Sequence, residues 1–151
     1  MDMPCSIARS LDVVGEWWSL LVLRDVFRGV RRFEAIQKDL GVASNILTAR
    51  LNRLRADGLL ERRPYQERPV RYEYFLTDKG RDLYPVMIAL IQWGDKHLAG
   101  PEGPPRALIH LTCGAESTAK LVCTRCEGEM TARNTKYVAR DDVRDTIAAA
   151  G

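Results

Sequence analysis

Apolar residues recur at helical spacing four times in the first sixty positions, and alternation at strand spacing follows. Ile7, Leu11 and Val14 make a first stripe, with Ser6 placed to cap it and Gly15 to end it. WWSLLVLRDVFRG is apolar nearly all round, which predicts a buried central helix stopped by Gly29. Phe33, Ile36 and Leu40 mark a third helix over 31–40, broken by Gly41. Leu47, Leu51 and Leu54 mark a fourth, capped by Ser44 and ended by Gly58. LLERRPY and VRYEYFL then predict a hairpin over about 59–65 and 70–76, turning at QERP. Pro64 and Pro69 stand near a strand end and at the turn, where strands tolerate proline. Thr77 is placed to cap one long helix over 78–98, whose stripe is Leu83, Val86, Met87, Leu90, Ile91 and Trp93.

The linker signal GPEGPP covers 100–105. Beyond it, two short β-like runs end at cysteines, and a polar, then alanine-rich tail begins at Asn134. The expected fold class is α+β, mainly α. Its divisions are a helical and hairpin domain over 1–99, a linker over 100–105, an appendage over 106–133 and a tail over 134–151. The tail is left open between helix and frayed chain.

A short helix pair followed by an arginine-tipped hairpin is the layout of a winged helix-turn-helix. With Leu47, Leu51 and Leu54 turned inward, the opposite face of the fourth helix carries Asn45, Ala49 and Asn52, flanked by Thr48 and Arg53. Ser44, Asn45 and Thr48 lie in its first turn. Asn amides match adenine edges, and hydroxyls match donors or acceptors. Arg50 and Arg53 are expected to reach guanine edges or phosphate, and small Ala49 lets the helix sit close in a major groove. Arg62, Arg63, Arg68 and Arg71 crowd the hairpin, with Arg68 at the tip as the minor-groove or phosphate candidate. Arg28, Arg31 and Arg32 precede the third helix as candidate backbone clamps. A polar face on an amphipathic helix is by itself ordinary, so the hairpin arginines carry the weight.

Charge distribution sharpens this. The whole 151-residue chain is only +3, but 24–71 holds twelve Lys/Arg against six Asp/Glu, while 99–151 is balanced at seven each. The excess sits on the suspected helix-turn-helix and wing, which points to double-stranded DNA. No apolar run approaches membrane-span length, and MDMPCSIARS has no apolar signal core, so cytoplasmic location is the expectation.

Cys5-Ser-Ile-Ala-Arg, Gly15-Glu16-Trp17-Trp18, Arg32-Phe33, Leu47-Thr48-Ala49-Arg50-Leu51, Asp57-Gly58-Leu59, Arg63-Pro64, Pro69, Tyr72-Glu73-Tyr74 and Leu76-Thr77-Asp78-Lys79-Gly80 together resemble the HxlR-type regulators. These are bacterial winged helix-turn-helix transcription factors related in fold to the MarR group. The resemblance covers about residues 4–98. It implies operator binding by a homodimer formed through the first and last helices, with the 78–98 helix as the dimerisation element. Trp17 replaces the family's usual basic residue, and Tyr72 its usual valine. The family often has a cysteine at Cys5, which in some members senses oxidants or electrophiles. A thiol at a helix N-terminus reacts faster, and Arg9 lies one turn on; a small buried packing residue is the plain alternative.

The other three cysteines join a histidine as His110-x₂-Cys113-x₉-Cys123-x₂-Cys126. Three thiolates and an imidazole suit a structural tetrahedral Zn²⁺, and each half resembles a zinc knuckle. The expected outcome is that zinc draws the two β-like runs, 107–111 and 120–122, into a small ribbon. The alternative is a plain β-hairpin appendage that binds no metal.

No Gly-rich phosphate loop and no Ser-His-Asp or Cys-His arrangement is visible, so an enzyme is not expected. The leading expectation is a dimeric DNA-binding transcription regulator, gated by Cys5 redox state or a small-molecule or electrophile effector. The alternative is a winged-helix protein-interaction module.

Overall fold

The computed structural model describes residues 5–149. The chain divides into two compact units between Pro101 and Glu102. That boundary falls inside the expected linker and assigns the tail to the second unit.

The first unit runs α1 (Ser6–Val14), α2 (Trp17–Phe27), α3 (Phe33–Leu40), α4 (Ser44–Ala56), β1 (Leu60–Glu67), β2 (Val70–Leu76), α5 (Asp78–Arg81) and α6 (Tyr84–Leu98). Its core gathers Val14, Val22, Leu23, Val26, Ile36, Val42, Leu47, Leu51, Leu54, Leu59, Leu60 and Tyr74. Each of the fully buried leucines contributes about 1.5–3 kcal/mol. The central role expected of α2 holds, since Val22 and Leu23 are wholly buried.

Four expectations need correction. Ser6 and Ser44 do not cap: each is the first residue of its helix, after Cys5 and Ala43, and neither helix has a side-chain cap. The Ser44 hydroxyl instead accepts from Gln37 Nε2 (3.3 Å), which also donates to the Val42 carbonyl (3.2 Å). One amide thereby ties the end of α3 to the start of α4 across the turn at Gly41, whose φ of 63° is the left-handed conformation that suits glycine. Third, α3 begins at Phe33 rather than 31, because Arg31 and Arg32 are extended against the hairpin. Tyr74 N–H donates to the Arg31 carbonyl (2.9 Å), and Arg32 bridges Glu73.

Fourth, the single helix over 78–98 is two. Thr77 does cap, its Oγ1 accepting from Gly80 N–H (3.1 Å), but α5 ends at Arg81 and α6 begins at Tyr84. Pro85 supplies the reason. It lacks an N–H and its ring opposes the carbonyl four residues back, so it sits in the first turn of a new helix. The remaining helix has fifteen residues and buries Met87 and Ile88. Val86, Leu90, Ile91 and Trp93 stay 43–57% exposed. On α1, Ile7 and Leu11 are also exposed, while Ala8 and Val14 turn inward.

β1 and β2 pair antiparallel from Leu60↔Leu76 to Glu67↔Val70, with a register irregularity between Pro64 and Gln66. The hairpin is thus longer at its tip than the sequence reading placed it, and Pro64 sits at the irregularity. Arg68–Pro69 is a cis peptide.

The second unit holds β3 (Ile109–His110), β4 (Ala115–Glu116) and α7 (Val143–Ala148). None of its described residues is buried. The runs 107–111 and 120–122 do not pair with each other. β3 pairs with β4, and Val122 bridges Glu129, so each run folds back on the chain just after it. Among the described residues no helix is long and apolar enough to cross a membrane.

Candidate nucleic-acid interface

α4 is anchored by Leu47, Leu51 and Leu54, and its opposite face is open. Ser44, Asn45, Thr48, Ala49, Asn52 and Arg53 are all exposed. Ile46, on the flank of that face and 40% exposed, was not singled out by the sequence reading. An apolar residue there is placed to meet a thymine methyl, and its position near 100° from Leu47 was available from the helical wheel.

Arg50 does not join this face. Three residues from Leu47 is 300° around the helix, at the border of the buried stripe. Its side chain is 15% exposed, and Nη2 reaches Glu16 Oε2 at 2.9 Å. The buried Nε has no partner. The residue braces α4 against the start of α2. Arg53 remains outward, donating to Asp57 (2.8 Å) one turn on.

Arg28 is likewise engaged within the protein. Arg24 and Arg28 both grip Asp25 and Asp39: Arg24 Nη2 lies 2.7 Å from Asp25 Oδ1 and 2.8 Å from Asp39 Oδ2, and Arg28 Nη1 lies 3.4 and 3.2 Å from the same oxygens. The network ties α2 to α3. Asp25 is fully buried with Oδ2 unpartnered, and burial raises its pKa, only partly offset by Arg24. Asp39 moves the other way. Desolvation works against its charge, but hydrogen bonding with Asp25 and the charges of Arg28 and Arg24 bring its pKa down. The two carboxyls therefore shift in opposite directions within one network of charges.

The hairpin arginines are held by rings. Arg62 lies over Tyr72 (4.1 Å), Arg63 and Arg31 over Phe75 (4.4 and 4.5 Å), and Arg32 over Tyr65 (4.3 Å). The register explains two of these. Arg62 faces Tyr74 and Arg63 faces Glu73, so Tyr72 and Phe75 are their diagonal same-face neighbours. Tyr72, a departure from the family pattern, is thus a platform for Arg62. Stacking uses the guanidinium face and leaves its edge N–H groups directed outward. Arg32 also donates to Glu73 (2.9 Å), Arg63 pairs with Glu61, and Arg71 lies 3.7 Å from Glu34. Such exposed pairs contribute about 0–1 kcal/mol, so exchanging a carboxylate for a phosphate costs little. Arg68 at the tip is exposed and forms no ion pair or ring contact among the described residues.

Trp17 is 81% exposed at the start of α2. Cys5 is half-buried, free, and occupies the position before α1. In the second unit His110 Nδ1 and Cys113 Sγ are 3.4 Å apart. Cys123 and Cys126 form the other pair, and Cys123 is shifted toward thiolate by the backbone N–H groups of Arg125 and Cys126 and by the Cys126 side chain. Among the described residues no three His, Cys, Asp or Glu side chains converge on one point that could hold a metal.

Residues 13–102 match the family described as HxlR-like helix-turn-helix. The chain is 49% identical over 129 residues to Mb3122 of Mycobacterium bovis, an uncharacterized HTH-type transcriptional regulator, spanning 85% of this chain and 82% of that protein. Among solved structures, the candidate transcription factor PA1607 shares 38% identity over 93% of this chain and 97% of its own, with a TM-score of 0.82. The redox regulator HypR in its reduced form shares 29% identity over 61% of this chain and 92% of its own, with a TM-score of 0.57.

Proposed function

Because the chain belongs to the HxlR-like helix-turn-helix family of transcriptional regulators and not to an enzyme family, we propose that it binds operator DNA as a homodimer, with α4 in the major groove and the hairpin as a wing on the backbone or minor groove. The carrying observation is the outer face of α4: Asn45, Thr48, Ala49 and Asn52 are exposed over a core-anchored back, beside a hairpin of ring-held arginines. Ser44, Asn45, Ile46, Thr48 and Asn52 read bases, with Ala49 permitting close approach. Arg53, Arg62, Arg63, Arg68, Arg71, Arg31 and Arg32 position the duplex through phosphates. Arg28 and Arg50 act behind the surface, bracing α3 and α4.

The proposed pairing residues are the exposed apolar side chains of α1 and α6, namely Ile7, Leu11, Val86, Leu90, Ile91 and Trp93. A second copy is the occupant, since a two-fold dimer presents two α4 helices to two half-sites. Selection of bound genomic fragments with the purified protein tests the reading. A palindromic motif with half-sites one helical turn or a multiple apart supports it, and recovery of fragments without a shared motif refutes it.

HypR is a redox regulator, and gating in this chain would act at Cys5, which stands beside the proposed pairing surface. Loss of operator affinity on oxidation in the wild type, and its absence in Cys5→Ser, supports gating. The same response in both proteins rejects it.

A further inference from the structure

The second unit contains the same turn twice. Leu108 accepts from Ser117 N–H (2.9 Å), Ile109 pairs with Glu116, and the His110 carbonyl accepts from Gly114 N–H (2.8 Å). Thirteen residues further on, Leu121 accepts from Met130 N–H (2.8 Å), Val122 bridges Glu129, and the Cys123 carbonyl accepts from Glu127 N–H (2.9 Å). Each turn carries a metal-binding side chain at its first and fourth positions: His110 and Cys113, then Cys123 and Cys126. In both, the residue after the second of these is left-handed, Gly114 at φ 70° and Glu127 at φ 60°. Glu127 is the one non-glycine with positive φ among the described residues. The turn is therefore kept even where the side chain opposes it.

The first turn presents its side chains at ligand spacing. Zn–N near 2.0–2.1 Å and Zn–S near 2.3 Å, at a tetrahedral angle, put N and S about 3.5 Å apart. His110 Nδ1 and Cys113 Sγ are 3.4 Å apart. In the second turn the Arg125 N–H donates to Cys123 Sγ at 3.4 Å, a bond that supports a sulfur carrying negative charge. The first turn supplies one edge of a tetrahedron, the second repeats its backbone with cysteines at both ligand positions, and a structural zinc requires two such edges.

The unit also lacks the usual means of holding itself together. Leu111, Leu121 and Tyr137 are 71–91% exposed, and no described residue between 102 and 149 is buried. A unit of this size without a core needs a disulfide, a metal or a partner to order it. Its three cysteines are free.

We propose that His110, Cys113, Cys123 and Cys126 together hold one structural Zn²⁺ per chain, the two turns closing on a single ion. The ion is a staple and not a catalyst, because four protein ligands leave no open position.

Metal analysis of the full chain, purified without added metal, tests this first. About one zinc per chain is expected, lost in Cys123→Ser, with Cys113, Cys123 and Cys126 resistant to thiol titration until a chelator is added. Less than about a tenth of an equivalent, or one ion shared by two chains, overturns the proposal. If Cys123→Ser does not yield folded protein, cobalt replacement in the wild type decides. Intense tetrahedral bands with thiolate charge transfer support the site, and a weak octahedral spectrum overturns it. Proteolysis adds a local readout: the chelated protein should be cut within 106–130 while the first unit stays intact, and an unchanged cleavage pattern counts against the staple.

Discussion

Arg68→Ala isolates the electrostatic part of DNA binding because the Arg68 side chain forms no ion pair or ring contact among the described residues. The other wing arginines stack on Tyr72 or Phe75 or face Glu34, so their removal also disturbs the hairpin. Folded stability of Arg68→Ala should therefore stay within about 0.5 kcal/mol of wild type. A homodimer carries two wings, so the variant loses two phosphate contacts. Each contact contributes about 0.9 to the slope of log K against log salt, and the slope should flatten by about 1.8. Over a rise from about 50 to about 200 mM salt, the wild type should lose about twelvefold more affinity than the variant. Fluorescence anisotropy on a labelled duplex across that range measures it, and a non-operator duplex should give the same change. Asn45→Ala is the counterpart. It should cost about 1–3 kcal/mol at one operator position and leave the slope unaltered. An Arg68→Ala protein of wild-type stability with an unchanged slope would refute the docking of the wing on DNA.

Leu90→Asp should convert the dimer to monomer, since Leu90 is 49% exposed on the unpartnered side of α6; a wild-type monomer in micromolar sedimentation would remove the idea. Gly80→Ala should destabilise the first unit by about 1–3 kcal/mol, because a Cβ there would come within 2.2 Å of the Leu59 carbonyl oxygen, which also accepts from Thr77 N–H; a denaturation midpoint equal to wild type would contradict that packing. Asp25→Asn tests the raised pKa of the buried Asp25 carboxyl. A carboxyl whose folded pKa is raised contributes stability below its unfolded value, near 3.8, and loses it as pH rises through the folded value. The Tm difference should thus be smallest near pH 4 and shift in favour of Asp25→Asn toward neutrality, and a pH-independent difference would argue against a raised Asp25 pKa. Asp39, with its pKa lowered, has the opposite sign and contributes stability that is lost only as pH falls through its folded value.

Periodicity alone determined the order of elements in the first unit, because helices and strands bury one face and their repeats of 3.6 and 2 are written into the positions of Leu47, Leu51 and Leu54 or of Leu60 and Tyr74. It also determined the outward face of α4, since that face is whatever the buried stripe leaves. Chain breaks were legible where a residue acts through its own backbone, as at Gly41. Pro85 carried the same kind of signal, yet the unbroken apolar stripe around it masked the division of 78–98. The cap at Thr77 was legible, but those at Ser6 and Ser44 were not, because whether such a serine stands before or inside its helix depends on one residue's dihedral angles. The roles of individual arginines were decided only by tertiary structure. Arg28, Arg50 and Arg68 are the same residue type, and what separates them is the distance to Asp25, Glu16 or solvent. A long side chain reaches several ångströms from its backbone, so its partner is set by whichever element the fold brings alongside. The metal-binding spacing of the second unit was likewise written in the sequence, but the repeat of its turn, down to the left-handed residue after each Cys113 and Cys126, required backbone geometry to be seen.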